Sequence, residues 1–134
     1  MTTSAANIQI SLTREPIDSG RFLPSPGPET GAFFLFTGHV RAEEDGETIR
    51  ALVYESYDTM AVSEMRRLAQ AVMREHPIQA ATIVHRIGPI QVGEIAILIS
   101  VCSRHRIEGL RFVEHYMDRL KVDVPIWKTD VVRD

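Results

Sequence analysis

Lysine occurs only twice in this chain, at Lys121 and Lys128, inside the stretch LKVDVPIWK; the 15 Lys and Arg residues are otherwise all arginine. An arginine stays charged at any biological pH. A lysine amine can lose its proton when partly buried and then act as a nucleophile or base. Two lysines seven residues apart around an apolar turn therefore offer a removable proton or a compact point charge. Compositional chance is the alternative, and the rest of the sequence has to decide between them.

Three further cations stand at the ends of predicted elements. Arg41 closes FTGHVR, just past a continuous apolar run (GAFFLF), and His105 and Arg106 lie in SRHR, between a second apolar run (IAILISVC) and a predicted helix. Lys121 falls at the end of that helix, and Lys128 follows Trp127. Helix starts and loops at the end of a sheet suit anion capture, because free backbone N–H groups and side-chain cations converge there. Taken singly, each reads more simply as a solvated surface charge, or for Lys121 as a favourable charge at a helix C-terminus. Five together, in a chain of formal net charge −3, point to a phosphate-bearing or otherwise anionic ligand. The same net charge argues against general nucleic-acid binding, which needs a strong basic field.

Other chemistries find little support. The five histidines (His39, His76, His85, His105 and His115) have no ligand-type spacing along the chain, and there is one cysteine, so no metal centre is expected. GxSxG and phosphate-cradling glycine loops are absent. Cys102 closes an apolar strand and reads as a small buried hydrophobe; a sulfur-donor role would need a lowered pKa, for which only Arg104 is near.

The elements that must position these residues follow from periodicity. Asn7–Thr13 alternates as a half-buried strand, residues 16–29 carry four prolines and form a loop, 31–38 is a buried strand, and 41–47 is a polar turn leading to a strand around 49–57. Asp58 is an N-cap candidate for a helix with Ala61, Met65, Leu68, Ala69, Val72 and Met73 on one face, stopped at Pro77. Two strands, 81–88 and 93–102, are joined by a turn through Gly88-Pro89 and Gly93. A second helix has Leu110, Val113, Met117 and Leu120 on its predicted inner face, and IWKTDVV is a last strand. The expected fold is α+β over residues 1–134 as one domain, with two helices on one face of a largely antiparallel sheet. No apolar run reaches membrane-spanning length, the first residues show no basic start followed by an apolar stretch, and the single cysteine fits a reducing compartment, so a cytoplasmic location is expected.

A helix over about 107–121 is on the order of 20 Å long, so His105–Arg106 and Lys121 of one chain cannot grip one small ligand. They serve separate sites, or a twofold dimer brings the helix start of one subunit to the helix end of the other.

At these same residues the chain resembles the large, catalytic subunit of molybdopterin synthase. The matching pieces are FTGHVR (36–41), YESYDTMA (54–61), VHRIGPIQVGE (84–94), SRHR (103–106) and MDRLKVDVPIWK (117–128), in that family's order, within a resemblance spanning about 7–130. The resemblance implies an α/β-hammerhead fold with a small additional antiparallel β subdomain. It implies a homodimer within a heterotetramer, each end binding a small ubiquitin-like sulfur-carrier subunit. The implied reaction transfers sulfur from that carrier's C-terminal thiocarboxylate to cyclic pyranopterin monophosphate, giving the molybdopterin dithiolene without a metal or organic cofactor. By motif match, Lys121 and Lys128 are the implied catalytic lysines. His39, Arg41, His105, Arg106, Thr129 and Asp130 are implied substrate contacts, and Phe36 and Met117 implied pocket walls. His39 and Asp130 stand where the family often has Lys and Glu, and the family's further late cation has only Arg133 as its counterpart. The alternative is a non-catalytic dimeric module of the same fold that binds a ubiquitin-like tail or a phosphate compound. A Cys102-dependent sulfurtransferase is a third reading.

Overall fold

The computed structural model describes residues 7–23 and 25–133. The first six residues, considered above for a leader, and Pro24 of the proline-rich loop lie outside them. The strands are β1 (Ile8–Thr13), β2 (Ala32–His39), β3 (Glu43–Glu44), β4 (Glu47–Thr48), β5 (Ala51–Ser56), β6 (Ala80–Arg86), β7 (Gly88–Gln91), β8 (Ile95–Ser103) and β9 (Ile126–Val132). The helices are α1 (Asp58–Glu75) and α2 (Arg106–Asp123), and one 3-10 turn, Ser19–Phe22, interrupts the proline-rich loop. No described helix is long and apolar enough to cross a membrane.

The class is α+β as expected, but the strands divide into three sheets. The main sheet has the order β1-β6-β8-β2, a smaller one has β7-β5-β9, and β3-β4 form a hairpin. The main sheet is mixed: β1 runs parallel to β6, while β6–β8 and β2–β8 are antiparallel. The expected turn at Gly88–Gly93 is largely a strand, because β7 leaves the main sheet to pair with β5. Gly88 makes that departure possible at φ +92°, a backbone conformation side-chain-bearing residues avoid. Pro89 is tolerated because β7 is an edge strand. The departing strand is tied back by an ion pair: Arg86 Nη1 donates to Glu94 Oε1 at 3.0 Å, and the same oxygen accepts from Gln91 N at 2.9 Å.

Both helices cover one face of the main sheet, and the core between them includes Met65, Val72, Ile83, Ile99, Val101, Phe112 and Tyr116, all fully buried. A second, smaller core of Val40, Ile49, Leu52 and Ile90 belongs to the β5 sheet. Helix α1 buries Ala61, Met65, Leu68, Ala69 and Val72, the expected stripe. Its N-cap is Tyr57 rather than Asp58, which instead occupies the first helical position, where a carboxylate complements the helix dipole.

Helix α2 departs from expectation in its face. Gly109, Phe112, Tyr116 and Leu120 are buried; Val113 and Met117 are half-buried, and Leu110 is 48% exposed. The aromatic rings carry more apolar area than the aliphatics chosen from spacing, so they set the inner stripe. Gly109 permits it, since a Cβ there would lie 2.6 Å from Cε2 of Phe34 and 2.8 Å from Oγ of Ser103. Tyr116 seats its ring in the core and donates its hydroxyl to the carbonyl of Met65 on α1, at 3.2 Å.

Gly109→Ala pits a helix-propensity gain of about 1 kcal/mol against overpacking that costs about 1–3 kcal/mol. The contact with Phe34 is short enough that overpacking wins. Urea denaturation is expected to show a net loss of stability, and an unchanged or raised midpoint would mean α2 does not sit that close.

Candidate functional site

The site is a cavity of about 260 Å³ where the two sheets meet. That is just below the usual range for small-molecule sites, so one chain encloses only part of a sizeable ligand. Its walls come from the end of β2 and the following turn (Gly38–Arg41), from Glu44, from Leu52 and Tyr54 of β5, and from His85 of β6. Ala96 and Ile97 of β8, Met117, Leu120 and Lys121 of α2, and Ile126 and Lys128 of β9 complete it.

Each polar group is placed by a local device. Strand β2 bulges between Gly38 and His39 against β8, and a bulge re-aims the side chains that follow it. The His39 ring is then fixed at both nitrogens: Nδ1 donates to the Gly93 carbonyl at 2.9 Å, and Nε2 accepts from Thr37 Oγ1 at 2.9 Å. Lys121 stands in the last turn of α2, which closes with Val124 N donating to the Leu120 carbonyl before Pro125. Lys128 is carried by β9 through its pairing with Tyr54.

Glu44 is the residue that sequence reasoning passed over. Asp45 (φ +51°) and Gly46 (φ +81°) form the two-residue turn of the β3-β4 hairpin, the Asp-Gly signature of such turns. The hairpin delivers Glu44 to the cavity, where its carboxylate accepts from Lys128 Nζ. The Lys128 hydrogen bond chiefly holds Glu44 below its ordinary pKa; partial burial opposes it, and the charges of Lys128, Arg41 and Lys121 act in the same sense as the bond. One carboxylate thus lies within the field of three cations. With Lys128 so compensated, Arg41 and Lys121 carry the excess positive charge of the cavity. The Asp45-Gly46 dipeptide was the available sequence signal for the hairpin; nothing in the sequence pairs Glu44 with a residue 84 positions away.

His85 forms part of the inner wall and is 6% exposed. Burial pushes its pKa below the ordinary 6.5, against the smaller opposing effect of its hydrogen bond to the Arg86 carbonyl. Nδ1 donates in that bond, at 2.7 Å, so the neutral ring keeps Nε2 as an acceptor, and Tyr54 packs edge-on to it with centroids 5.5 Å apart.

Of the residues named from sequence, His39, Arg41, Met117, Lys121 and Lys128 share this cavity. Phe36 packs behind it in the main core. Thr129 and Asp130 lie further along β9 and are exposed; Thr129 Oγ1 donates to the Val53 carbonyl at 3.3 Å, and Asp130 Oδ1 accepts from Val131 N at 2.8 Å. His105 and Arg106 are exposed at the opposite end of α2, His105 being its N-cap, with Nδ1 3.5 Å from Glu108 Oε2. Cys102 is buried at 4% exposure, and burial raises its thiol pKa, the reverse of what a sulfur nucleophile needs.

The fold and cavity define an α+β domain with a lysine- and arginine-lined pocket between two sheets, suited to a small anionic ligand. The family model described as MoaE protein matches residues 12–123. A molybdopterin synthase catalytic subunit from Staphylococcus aureus is 37% identical over 127 residues, covering 94% of this chain and 86% of that protein. The crystal structure of molybdopterin synthase from Staphylococcus aureus superposes with a TM-score of 0.84 at 35% identity, covering 92% of this chain and 90% of that one. A complex of subunits 1 and 2 of molybdopterin-converting factor from Helicobacter pylori shares the fold, with a TM-score of 0.69 at 18% identity over 92% and 88% of the two chains. The chain belongs to the MoaE family, that of the molybdopterin synthase catalytic subunit.

His85 generates a pH prediction. Above pH 6.5 it is neutral in both folded and unfolded chains; below that, the unfolded chain takes up a proton that the folded one refuses. Its contribution to stability is therefore full above 6.5 and lost as pH falls through that value toward its lower folded pKa. His85→Gln is expected to flatten the acid-side fall in unfolding free energy between pH 7.5 and about pH 5. An unchanged slope would show that another group carries it.

Proposed function

We propose that the cavity is where sulfur leaves a carrier protein and joins a pterin. A small ubiquitin-like subunit inserts its C-terminal thiocarboxylate, and the acceptor is cyclic pyranopterin monophosphate, converted to the molybdopterin dithiolene. The observation that carries this reading is the convergence of Lys121, Lys128 and Arg41 in one cavity, with Glu44 already accepting from Lys128 as an anionic tail would.

The chemistry asks little beyond positioning and charge control. Thiocarboxylate sulfur is already a good nucleophile, so its attack on an electrophilic pterin side-chain carbon needs mainly alignment. The carbon–oxygen bond there breaks, the oxygen leaves with the electron pair and takes up a proton, and the dithiolene requires two such transfers. The new bond makes sulfur the bridge of a thioester. Water then attacks the acyl carbon, the acyl carbon–sulfur bond breaks, the carrier leaves as a carboxylate, and sulfur stays on the pterin. Negative charge builds on the acyl oxygen in the second step, as water adds to the thioester. A lysine ammonium beside it stabilises that charge and can supply a proton, and as the amine it can accept one. Lys121 is assigned the central role. Lys128, held by Glu44, orients the tail, Arg41 and His39 contact the substrate, and Met117 shapes the wall, with Phe36 packed behind it.

His105 and Arg106 act from the other subunit of a homodimer, the two chains and two carriers making a heterotetramer. Helix α2 keeps them far from Lys121 within one chain, and apolar side chains are exposed both beside them on α2, at Ile107 and Leu110, and on the other face of edge strand β2, at Phe33 and Leu35. Exposed apolar side chains on an edge strand are what a subunit contact covers. Thr129 and Asp130 extend the substrate path along β9. The reaction is assigned to the cytoplasm. A non-catalytic module of the same fold would not need both lysines in the cavity.

Lys121→Arg keeps the charge but not the readily removed proton. With thiocarboxylated carrier and pyranopterin substrate, turnover is expected to drop on the order of a hundredfold while the melting temperature stays near that of wild type. Near-normal dithiolene formation would remove Lys121 from acid–base chemistry. No product from the wild-type chain with a competent carrier would favour the binding module.

A further inference from the structure

Away from the basic cavity, the seam between α1 and α2 gathers three ligand-type side chains. Glu75 is the last residue of α1, His76 is its C-cap, and His115 lies within α2. His76 Nε2 and His115 Nδ1 are 2.8 Å apart, with the rings edge to face at a centroid distance of 4.4 Å. Two imidazole nitrogens this close share a proton or a cation, since two bare lone pairs would repel. These nitrogens and a Glu75 carboxylate oxygen all lie within 4.8 Å of one another.

The surroundings divide the remaining valences in a way that suits a metal. Glu75 Oε2 lies 3.3 Å from Arg119 Nη1, which holds the carboxylate across the seam, while Oε1 faces His115 Nδ1 at 4.0 Å. On the other edge of the His115 ring, Glu114 Oε1 is 3.8 Å from Nε2. At that distance, and with Arg111 Nη1 also 3.8 Å from the same oxygen, Glu114 is an electrostatic neighbour rather than a hydrogen-bond partner. Its charge favours a proton on Nε2, which leaves Nδ1 bare. Both histidines are half-buried and Glu75 is exposed, so the nitrogens are partly shielded and the open side remains accessible. Arg119 also pairs with Asp123, at 3.7 Å, and its charge reduces the affinity without blocking a donor.

We infer that Glu75, His76 and His115 form a transition-metal site for Zn²⁺ or a similar borderline divalent ion, clamping the end of α1 to α2. The ion takes the place of the shared proton. Two nitrogens on a tetrahedral zinc stand about 3.3 Å apart, so the rings need separate only slightly, with Glu75 as third ligand and water as fourth. The sequence hides this site because His76 and His115 are 39 positions apart and neither lies in a ligand-spaced motif. The site lies on α2 six residues before Lys121, so the ion stabilises the helix that carries Lys121 and takes no part in sulfur transfer.

Calorimetric titration of chelator-treated protein with Zn²⁺ alone tests this without any activity assay. One ion per chain is expected to bind and to raise the melting temperature. His76→Gln and His115→Gln should each weaken binding about tenfold or more, and His105→Gln should not. Glu75→Gln changes an exposed carboxylate and should weaken binding even if a histidine variant fails to fold. No zinc uptake by the wild-type chain overturns the proposal. So does binding that survives both Glu75→Gln and His115→Gln, or a Co²⁺ complex with only the faint spectrum of the hydrated ion.

Discussion

The burial of one face of α2 against the main sheet is the constraint on which the rest of the site depends. Phe112 and Tyr116 are fully buried, Leu120 nearly so, and Gly109 lets the helix start press against Phe34. A helix fixed along that line has no freedom to slide or roll, so both its ends are set at once. Its C-terminal end brings Met117, Leu120 and Lys121 to the cavity, and its N-terminal end holds His105 and Arg106 on the opposite side. From Arg106 to Lys121 the axis runs about 22 Å, a separation no side-chain movement closes. If the two ends act on one ligand, as proposed, they must come from different subunits.

The cavity exists because the chain builds a second sheet. Gly88 turns β7 out of the main sheet, the Arg86–Glu94 pair ties the turn, and β5 receives both β7 and β9. Leu120 from the main core and Leu52 from the smaller one then face the same space. Charge is delivered to this junction from four directions: Arg41 after β2, Glu44 on its hairpin, Lys121 on α2 and Lys128 on β9. In that arrangement the VHRIGPIQVGE segment has mainly an architectural role. Its arginine pairs with its glutamate through Nη1, leaving Arg86 Nε buried without a partner among the described residues, and its histidine is a wall that burial keeps from taking a proton.

Much of this was legible in the sequence where a local rule governs. The α1 stripe, the buried run of β8, the stop before Pro77 and the placing of cations at element ends follow from periodicity and from proline's missing donor. Strand β2, expected to be buried, is an edge strand that leaves Phe33 and Leu35 exposed, because an apolar run does not show which strand of a sheet lacks a neighbour. The inner face of α2 was misjudged at Leu110 because spacing alone does not rank Phe112 and Tyr116 above aliphatic residues, nor show that Gly109 meets Phe34. The parallel β1–β6 pairing, the β5–β7 pairing that splits off the second sheet, the Glu44–Lys128 pair and the His76–His115 contact join residues 34 or more positions apart. No short-range rule reaches that far. Thr129 and Asp130 came from motif correspondence, and the free chain places them outside the cavity.

The most direct measurement of the two-subunit site is complementation between inactive chains. Lys121→Ala and Arg106→Ala are co-expressed so that their subunits pair at random, and dithiolene formation is compared with that of each variant alone. In a mixed dimer with sites shared between subunits, one site loses both groups and the other keeps both. About half the dimers are mixed, so activity should return to about a quarter of the wild-type level. Activity no higher than that of the separate variants would mean that each site is built within one chain, contradicting the account.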